Sequence, residues 1–211
     1  MCAVYRPTAS KVWVKSLFGL DLPEVSQDVY PGHAAPIVVR SRREGRLAIG
    51  LAQFGMVAPW VRDEKISRHT YNARLETVAE KPSFRDAWHQ SHWAIVLADC
   101  FYEPCYETGK ATRWRIARAD GKPMGIAGLW QRWRDRATER TLVSFTMLTI
   151  DAGNHPVMSR MHKPNDEKRT VVVLAEEQFD PWLGGDPTVA RDCLKLEQMP
   201  VLVAEPVANQ A

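Results

Sequence analysis

The residue pair at the start of the chain, Met1-Cys2, has the most distinctive chemistry in the sequence. If the methionine is removed, Cys2 presents a thiol and an α-amine that can attack the same electrophilic carbon. An aldehyde is the natural target, because the amine forms a Schiff base and the thiol then closes a thiazolidine ring. An α-amine has a pKa of about 7.7–8.0, against about 10.4 for lysine, so far more of it is unprotonated near neutral pH. Cys2 is therefore a candidate nucleophile, although the dipeptide alone also fits an ordinary second residue.

The stretch Tyr71–Thr77 places polar side chains at alternating positions. An amide, a guanidinium and a carboxylate occur at Asn72, Arg74 and Glu76, so an extended chain presents all three on one face. The pattern fits two alternatives equally well: a binding face, or the solvated polar face of an edge strand.

Glu103 and His162 are the candidate acid–base groups. Glu103 follows the apolar run Trp93–Leu97, which predicts a central strand, and a carboxyl group at the end of a buried strand has a raised pKa. His162 lies between cationic neighbours in a predicted loop, and their charges favour its neutral, basic form. From the residues alone, an exposed strand-end glutamate and an inert loop histidine are the alternatives.

Arginine and tryptophan side chains mark candidate surfaces for phosphates and stacked bases. Trp60 ends Phe54–Trp60, a loop of aromatic and small residues that a proline keeps from continuing as a central strand. Arginines also flank Trp133 in Gln131–Arg140, which is predicted to be a charged loop and whose alternative role is that of a solubilising tip. The arginines clustered in this part of the chain are Arg113, Arg115, Arg118, Arg132, Arg134, Arg136 and Arg140.

The elements that position these groups are predicted to be mainly strands. Apolar runs and period-two alternation predict strands at 3–5, 35–40, 46–54, 93–97, 141–150, 170–174 and 200–205. Thr112–Ala119 and Pro123–Trp130 are predicted to form a hairpin around Asp120-Gly121. Short helices are predicted at 10–20, after a cap at Ser83, and at 175–183. The fold class is therefore α+β, mainly antiparallel β with short peripheral helices.

Composition indicates the class of protein and its environment. The chain has 211 residues, 45% hydrophobic and 25% charged, with a net charge of +3, so it is globular rather than a polycation. The cysteines lack CxxC spacing, which indicates a reduced, cytoplasmic protein. We expect no signal peptide and no membrane span, because no apolar run approaches ~20 residues. His89 and His92 lack a third ligand with suitable spacing, so no metal or cofactor is expected.

Four short motifs occur in order along the chain: Cys2, Asn72–Glu76, Glu103 and Met161-His162. Together they resemble the motifs of the SRAP family, the SOS response-associated peptidases that shield abasic sites in single-stranded DNA. The resemblance runs from Met1 to at least Leu174. It implies one compact domain over residues 1–211, with strands in an open barrel or sandwich and a positively charged cleft for single-stranded DNA. It also implies removal of Met1, by methionine aminopeptidase or autoprocessing, and a monomer that joins the nucleoid at damaged DNA.

The resemblance implies a role for each matching residue. Cys2 is expected to attack the ring-opened C1′ aldehyde of an abasic site, first with its amine and then with its sulfur. Asn72 is expected to hold the sugar or the terminal amine by hydrogen bonds. Glu103 is expected to shuttle protons during sugar ring opening and thiazolidine closure, while His162 acts on the opened sugar hydroxyl or on the Schiff base.

The DNA contacts are expected to come from basic and aromatic side chains. Arg74 is expected to bind a phosphate next to the abasic site, and Trp60 to stack on a neighbouring base. The other expected DNA-binding residues are Arg113, Arg115, Arg160 and Arg169.

The chain departs from the family's usual motifs at three points. Ala3-Val4 replaces the Gly-Arg that usually follows the cysteine, which removes an arginine contact to phosphate. Phe101–Pro104 replaces Trp-Phe-Glu-Trp, and Pro104 is expected to alter the local backbone. The usual His-Asp-Arg-Met-Pro run is replaced by the longer His162–Arg169, where Arg169 is expected to substitute for the missing arginine.

Two other functions fit the same residues. One is an N-terminal-nucleophile amidohydrolase or peptidase, in which Asn72 helps to form an oxyanion hole. The other is a noncatalytic binder of single-stranded nucleic acid that uses the arginines and tryptophans. Amide turnover without DNA indicates the first, and salt-sensitive binding that survives Cys2→Ala indicates the second.

Overall fold

The computed structural model describes residues 2–25, 27–41, 44–135 and 137–207. The strands within these ranges are β1 (Val4–Pro7), β2 (Ala34–Arg40), β3 (Leu47–Phe54), β4 (Asn72–Arg74), β5 (Trp93–Cys105), β6 (Thr112–Arg118), β7 (Met124–Arg134), β8 (Thr141–Asp151), β9 (Arg169–Val171), β10 (Val173–Leu174) and β11 (Leu202–Pro206). The α-helices there are α1 (Lys11–Phe18), α2 (Arg85–His89), α3 (Phe179–Gly184) and α4 (Pro187–Asp192). Short 3-10 helices occupy Glu64–His69, Met158–Arg160, Glu176–Gln178 and Leu196–Gln198. No helix in the described ranges is long and apolar enough to cross a membrane.

Five strands close into a barrel. They follow the order β7, β8, β3, β2 and β5, and the pairing of β5 with β7 completes the ring. Neighbours in this ring are antiparallel, except that β3 runs parallel to β8. The predicted fold class, mainly antiparallel β with short peripheral helices, is confirmed. The β5–β7 pairing leaves the barrel itself without a free edge.

The 13-residue strand β5 connects the barrel to the outer strands. Its first part, Trp93–Ala98, pairs with β7 on one edge and with β2 on the other. Its second part leaves the barrel and pairs with β1 and β6, and β11 extends the sheet beyond β6. A nearly continuous apolar run produces this strand because its barrel portion is buried on both faces. Glu103 lies in the part that follows.

Alternate residues of β5 face two apolar clusters. Ile95 and Leu97 pack in a cluster with residues of the helices, where Phe18 stacks on Phe179 with ring centroids 5.5 Å apart. Val96 belongs to the opposite cluster, which also contains Cys2. Cys2 is therefore fixed in the core next to β1 rather than left at a frayed terminus.

Two strands flank the end of β8 and bring distant segments together. β4 runs parallel to β8 through Met147–Thr149, and β9 runs antiparallel to it through Thr149–Asp151. The segment that contains Asn72 and the segment that follows His162 therefore meet at one end of β8.

The predicted hairpin between Thr112–Ala119 and Pro123–Trp130 is wrong. Both strands form, as β6 and β7, but they pair with different parts of β5 and not with each other. Asp120-Gly121 does reverse the chain, with Gly121 at a φ of 72°. A turn signal specifies the reversal but not the partner of each strand, and β5 is long enough to take both.

The predicted loop Gln131–Arg140 is wrong in its first half. β7 continues through Arg134, still paired with β8. Trp133 is only 4% exposed and its Nε1 donates to the carbonyl oxygen of Val61 at 2.7 Å, so it cannot stack on a base. Charged residues alternate with buried Gln131 and Trp133, and the high charge of the segment obscured this period-two pattern. Arg136 lies outside the described residues.

Two helix expectations need correction. α2 begins at Arg85, with Phe84 at the N-cap position and no side-chain capping bond, so the expected Ser83 cap is wrong. The segment 175–183 starts as a 3-10 turn and becomes α-helical only at Phe179. Packing of the Phe179 ring under the sheet, rather than the acidic first turn, determines where that helix lies.

Candidate active site

Cys2 is held in the interior immediately before β1. Its side chain is among the most buried in the chain, and Sγ lies 3.5 Å from the carbonyl oxygen of Val4. The pairing of Val4 with Tyr102 brings this terminus to the second half of β5. Burial, and then the negative charge of Glu103, raise the pKa of the Cys2 thiol. The sulfur is therefore protonated near neutral pH and needs a base before it can attack.

Asn72 connects β4 to the amino terminus. Its Nδ2 donates to the carbonyl oxygen of Cys2 at 2.7 Å. Among the residues that the structure describes, its buried Oδ1 has no hydrogen-bond partner. An unpaired buried acceptor costs about 1–3 kcal/mol, so a ligand hydroxyl or amine that donates to Oδ1 gains affinity.

Glu103 is a carboxyl group buried in the sheet. It lies between Phe101 and Cys105 on the inward face of β5 and is 3% exposed. Desolvation raises the pKa of Glu103 to about 7. Both its acid and its base form are consequently populated near neutral pH, as proton transfer requires.

Pro104 does not disrupt the strand that holds Glu103. β5 runs through Pro104 to Cys105, and Pro104 pairs with Arg113 of β6. The expected change in the local backbone is therefore wrong. Proline lacks an N–H, but its carbonyl oxygen accepts the N–H of His162 at 2.6 Å.

His162 faces Glu103 from the loop that follows the 3-10 helix Met158–Arg160. Its Nε2 lies 3.4 Å from Glu103 Oε2. The backbone at His162 is left-handed, with φ 63°, which a non-glycine residue adopts at a cost of about 1 kcal/mol or more. Burial, with a contribution from the positive charge of Lys168, lowers the pKa of His162 to about 4. The imidazole is therefore neutral near pH 7 and can accept a proton.

The structure thus brings the four predicted catalytic residues together. A hydrogen bond joins Asn72 to Cys2, Glu103 faces His162, and the charge of Glu103 acts on the Cys2 thiol. Two titratable groups whose pKa values are displaced in opposite directions suit one proton donor and one proton acceptor. The site can therefore support nucleophilic attack by Cys2 with assisted proton transfer.

Two tyrosines near the site were given no role from the sequence. Burial, followed by the charges of Glu103 and Cys2, raises the pKa of Tyr71. Tyr5 is fully buried, the charge of Cys2 raises its pKa further, and its hydroxyl has no partner among the described residues. The position of Tyr71 directly before Asn72 was an available signal, whereas nothing in the sequence marked Tyr5.

Two of the expected DNA-binding side chains, Arg74 and Trp60, are exposed. Arg74 extends from β4 and pairs with Glu167, with 2.9 Å between Nη1 and Oε2. Trp60 is 55% exposed, and its indole nitrogen donates to the carbonyl oxygen of Pro82 at 3.4 Å. The face of the Trp60 ring is therefore available to a base.

Three further arginines lie on the outer strands or near the His162 loop, each paired with an acid. Arg113 stacks on Tyr102, 3.8 Å from the ring centroid, and pairs with Asp28. Arg115 pairs with Glu205 at 3.1 Å. Arg160 forms a two-bond contact with Glu107. Exposed pairs of this kind contribute little stability, so phosphate can replace the carboxylate.

Arg169 is not a surface residue, which corrects its expected role. Its side chain is 2% exposed and donates to Glu76 at 2.8 Å, to Glu167 at 2.7 Å and to the Thr149 carbonyl oxygen at 2.9 Å. These bonds tie the Asn72–Glu76 segment to β9. Arg169 is therefore a buried residue that links two segments of the site, and it does not replace the missing phosphate-binding arginine.

The resemblance implied an open barrel or sandwich, whereas the pairing of β5 with β7 closes the barrel. The expected cysteine, glutamate and histidine do lie close together, with Cys2 buried near the Glu103–His162 pair. The chain belongs to the SOS response associated peptidase (SRAP) family, whose model matches residues 1–210. It is 30% identical over 159 residues to the abasic site processing protein YoqW of Bacillus subtilis (strain 168), across 75% of this chain and 66% of YoqW. It is 23% identical over 164 residues to the abasic site processing protein HMCES of Xenopus tropicalis, across 68% of this chain and 47% of HMCES. The chain thus spans just under two thirds of YoqW and about half of HMCES.

Solved structures share the fold over almost the whole chain. A crystal structure of a protein from Bordetella bronchiseptica is 34% identical and superposes with a TM-score of 0.85, covering 98% of this chain and 100% of that one. A protein from Bacteroides thetaiotaomicron is 22% identical with a TM-score of 0.80, covering 99% of this chain and 93% of that one. The second similarity concerns the fold alone.

Proposed function

We propose that this chain, once Met1 has been removed, processes abasic sites in single-stranded DNA by forming a thiazolidine between Cys2 and the C1′ aldehyde of the damaged sugar. The supporting observation is the burial of Cys2 beside the Glu103–His162 pair, whose pKa values are displaced in opposite directions. The names of the curated relatives, abasic site processing proteins, support an aldehyde of DNA as the electrophile.

The first bond joins nitrogen to carbon. The unprotonated α-amine of Cys2 attacks C1′ of the ring-opened sugar and gives a carbinolamine. Its hydroxyl leaves as water after accepting a proton from the acid form of Glu103, and an imine remains. A carboxyl group with a pKa near 7 can donate this proton and recover it at neutral pH.

The second bond joins sulfur to the same carbon. His162 or ionised Glu103 takes the thiol proton, the sulfur attacks the imine carbon, and the C=N electron pair moves to nitrogen, which is protonated. One water leaves in the overall reaction and nothing is oxidised or reduced. Since burial keeps Cys2 protonated, the nearby base determines the rate of this step.

Asn72 orients the nucleophile. Its bond to the Cys2 carbonyl fixes the backbone that presents both the amine and the thiol. Its buried Oδ1 can accept a hydrogen bond from the amine or from the opened sugar hydroxyl. One of the two Nδ2 N–H groups of Asn72 is taken by the Cys2 carbonyl, so this amide holds the backbone of the nucleophile.

The proposed DNA contacts combine charge with stacking. Arg74, Arg113, Arg115 and Arg160 supply exchangeable cations, and Trp60 supplies a free ring face. Stacking on an isolated ring requires an unpaired base, which favours single-stranded over duplex DNA.

Incubation with an oligonucleotide that contains one abasic site tests the proposal. A chain with a verified Cys2 amino terminus is expected to give a complex that survives denaturing electrophoresis. Cys2→Ala should abolish that complex, and Cys100→Ala is the matched control that should not. A complex with Cys2→Ala that survives denaturation would refute Cys2 as the attacking residue. Amide hydrolysis without DNA would favour the amidohydrolase, and salt-sensitive binding by Cys2→Ala without any denaturation-stable complex from the wild type would favour the noncatalytic binder.

A further inference from the structure

Lys168 is bound to the backbone of the His162 loop. Its Nζ lies 2.6 Å from the carbonyl oxygen of Met161, 2.8 Å from that of Lys163 and 3.4 Å from that of His162 itself. A lysine ammonium has three N–H donors, and all three point at consecutive carbonyl groups of this loop. The side chain is thus a clamp on a single turn of backbone.

The turn that Lys168 holds contains an unfavourable backbone conformation. His162 has a left-handed backbone, φ 63°, which normally suits glycine or asparagine. The conformation turns successive carbonyl oxygens toward one point, where they repel one another unless a cation lies between them. On the other side of the turn, the His162 N–H donates to Pro104 at 2.6 Å. The ammonium and this bond together direct the imidazole toward Glu103, where Nε2 lies 3.4 Å from Oε2.

Lys168 also affects the charge of the imidazole. After burial, the positive charges of the amino terminus and Lys168 lower the pKa of His162, while Asp166 acts in the opposite direction and Glu103 faces the ring from β5. Lys168 therefore favours the neutral form of the ring that it positions.

We propose that Lys168 is a positioning residue for His162, which holds the left-handed turn in place and keeps the imidazole aimed at Glu103 as a proton acceptor. The inference rests on the proposed function, because the role of His162 as an acceptor belongs to it. Glu103 and His162 touch the reacting atoms in that scheme, whereas Lys168 acts only through the loop.

The test compares Lys168→Met with Lys163→Met. Both remove one positive charge from the same loop, so nonspecific attraction to DNA falls equally in both. For Lys168→Met we expect adduct formation at neutral pH to slow by about tenfold or more, and the imidazole of His162 to titrate at higher pH in NMR spectra of the DNA-free protein. Lys163→Met should change neither. Equal rates and equal His162 titrations in the two variants would overturn the proposal.

Lys168→Arg distinguishes positioning from loss of folding. It keeps the charge, but its planar fork does not fit three convergent carbonyl groups. We expect His162 to titrate as in the wild type while adduct formation slows, and a wild-type rate would refute the clamp. The titration needs no DNA, so a wild-type chain that forms no adduct would refute the proposed function and leave the test of Lys168 intact.

Discussion

Glu103→Gln should make the protein more stable and less active. Burial raises the pKa of Glu103 from 4.5 to about 7, so the folded chain binds this proton more tightly than the unfolded chain does. The stability associated with the carboxyl group is fully present below about pH 4.5 and is lost as the pH rises through about 7. At 1.36 kcal/mol for each pKa unit, the ionised carboxylate costs about 3 kcal/mol above pH 8.

Glutamine keeps the size and hydrogen-bonding capacity of the side chain but cannot ionise. The free energy of unfolding of Glu103→Gln, measured by urea denaturation, should therefore exceed that of the wild type by about 3 kcal/mol near pH 8.5, and by much less near pH 5. Adduct formation by the same variant should fall by ~100-fold, the usual contribution of an acid–base group.

Glu107→Gln is the matched control for this prediction. Glu107 is exposed, and its hydrogen bond to Arg160 lowers its pKa, so its replacement should give no stability gain at any pH. If the gain in free energy of unfolding of Glu103→Gln over the wild type does not increase with pH, the pKa of Glu103 is not raised. That result would refute its role as a proton donor at neutral pH.

Three more predictions concern the surroundings of the site. Glu167→Gln should free Arg74 and tighten binding to undamaged single-stranded DNA at low salt, as measured by fluorescence anisotropy; unchanged affinity would remove Arg74 from the DNA surface. Trp60→Ala should weaken the same binding by about 1–3 kcal/mol without lowering the melting temperature, whereas Trp133→Ala should lower the melting temperature. The Nδ1 atom of His155 accepts hydrogen bonds from two backbone N–H groups, and burial lowers the pKa of its imidazole. The stability that His155 contributes should therefore be present above about pH 6.5 and be lost as the pH falls. A His155→Asn variant whose stability falls with acid as much as that of the wild type would contradict this.

The candidate catalytic residues could be selected from the sequence because each has a local signal. Cys2 follows Met1, Asn72 alternates with Arg74, and Glu103 follows an apolar run. Each signal depends on neighbours within a few residues, and the strands that form keep those neighbours in place. The closed barrel was not predictable in the same way, since it depends on the pairing of β5 with β7, whose residues are about 30 positions apart.

The roles of the arginines could not be predicted because they depend on distant partners. Arg169 is buried since Glu76, 93 residues away in sequence, accepts its guanidinium. Arg113 is paired with Asp28, and no pattern in either segment indicates that contact. Lys168 likewise has a structural role only because the backbone at His162 turns three carbonyl groups toward it. Sequence gives the charge of such residues, whereas the fold decides whether the charge faces solvent or the interior.

The most direct test of the proposed function is the intact mass of the product formed with an abasic oligonucleotide. The mass should equal that of the chain without Met1 plus the oligonucleotide, minus one water. Borohydride should leave it unchanged, because a thiazolidine has no C=N bond to reduce, whereas a Schiff base would gain hydrogen. An adduct that borohydride reduces, that forms on Cys2→Ala, or that forms when an uncleaved extension precedes Cys2 would contradict the account.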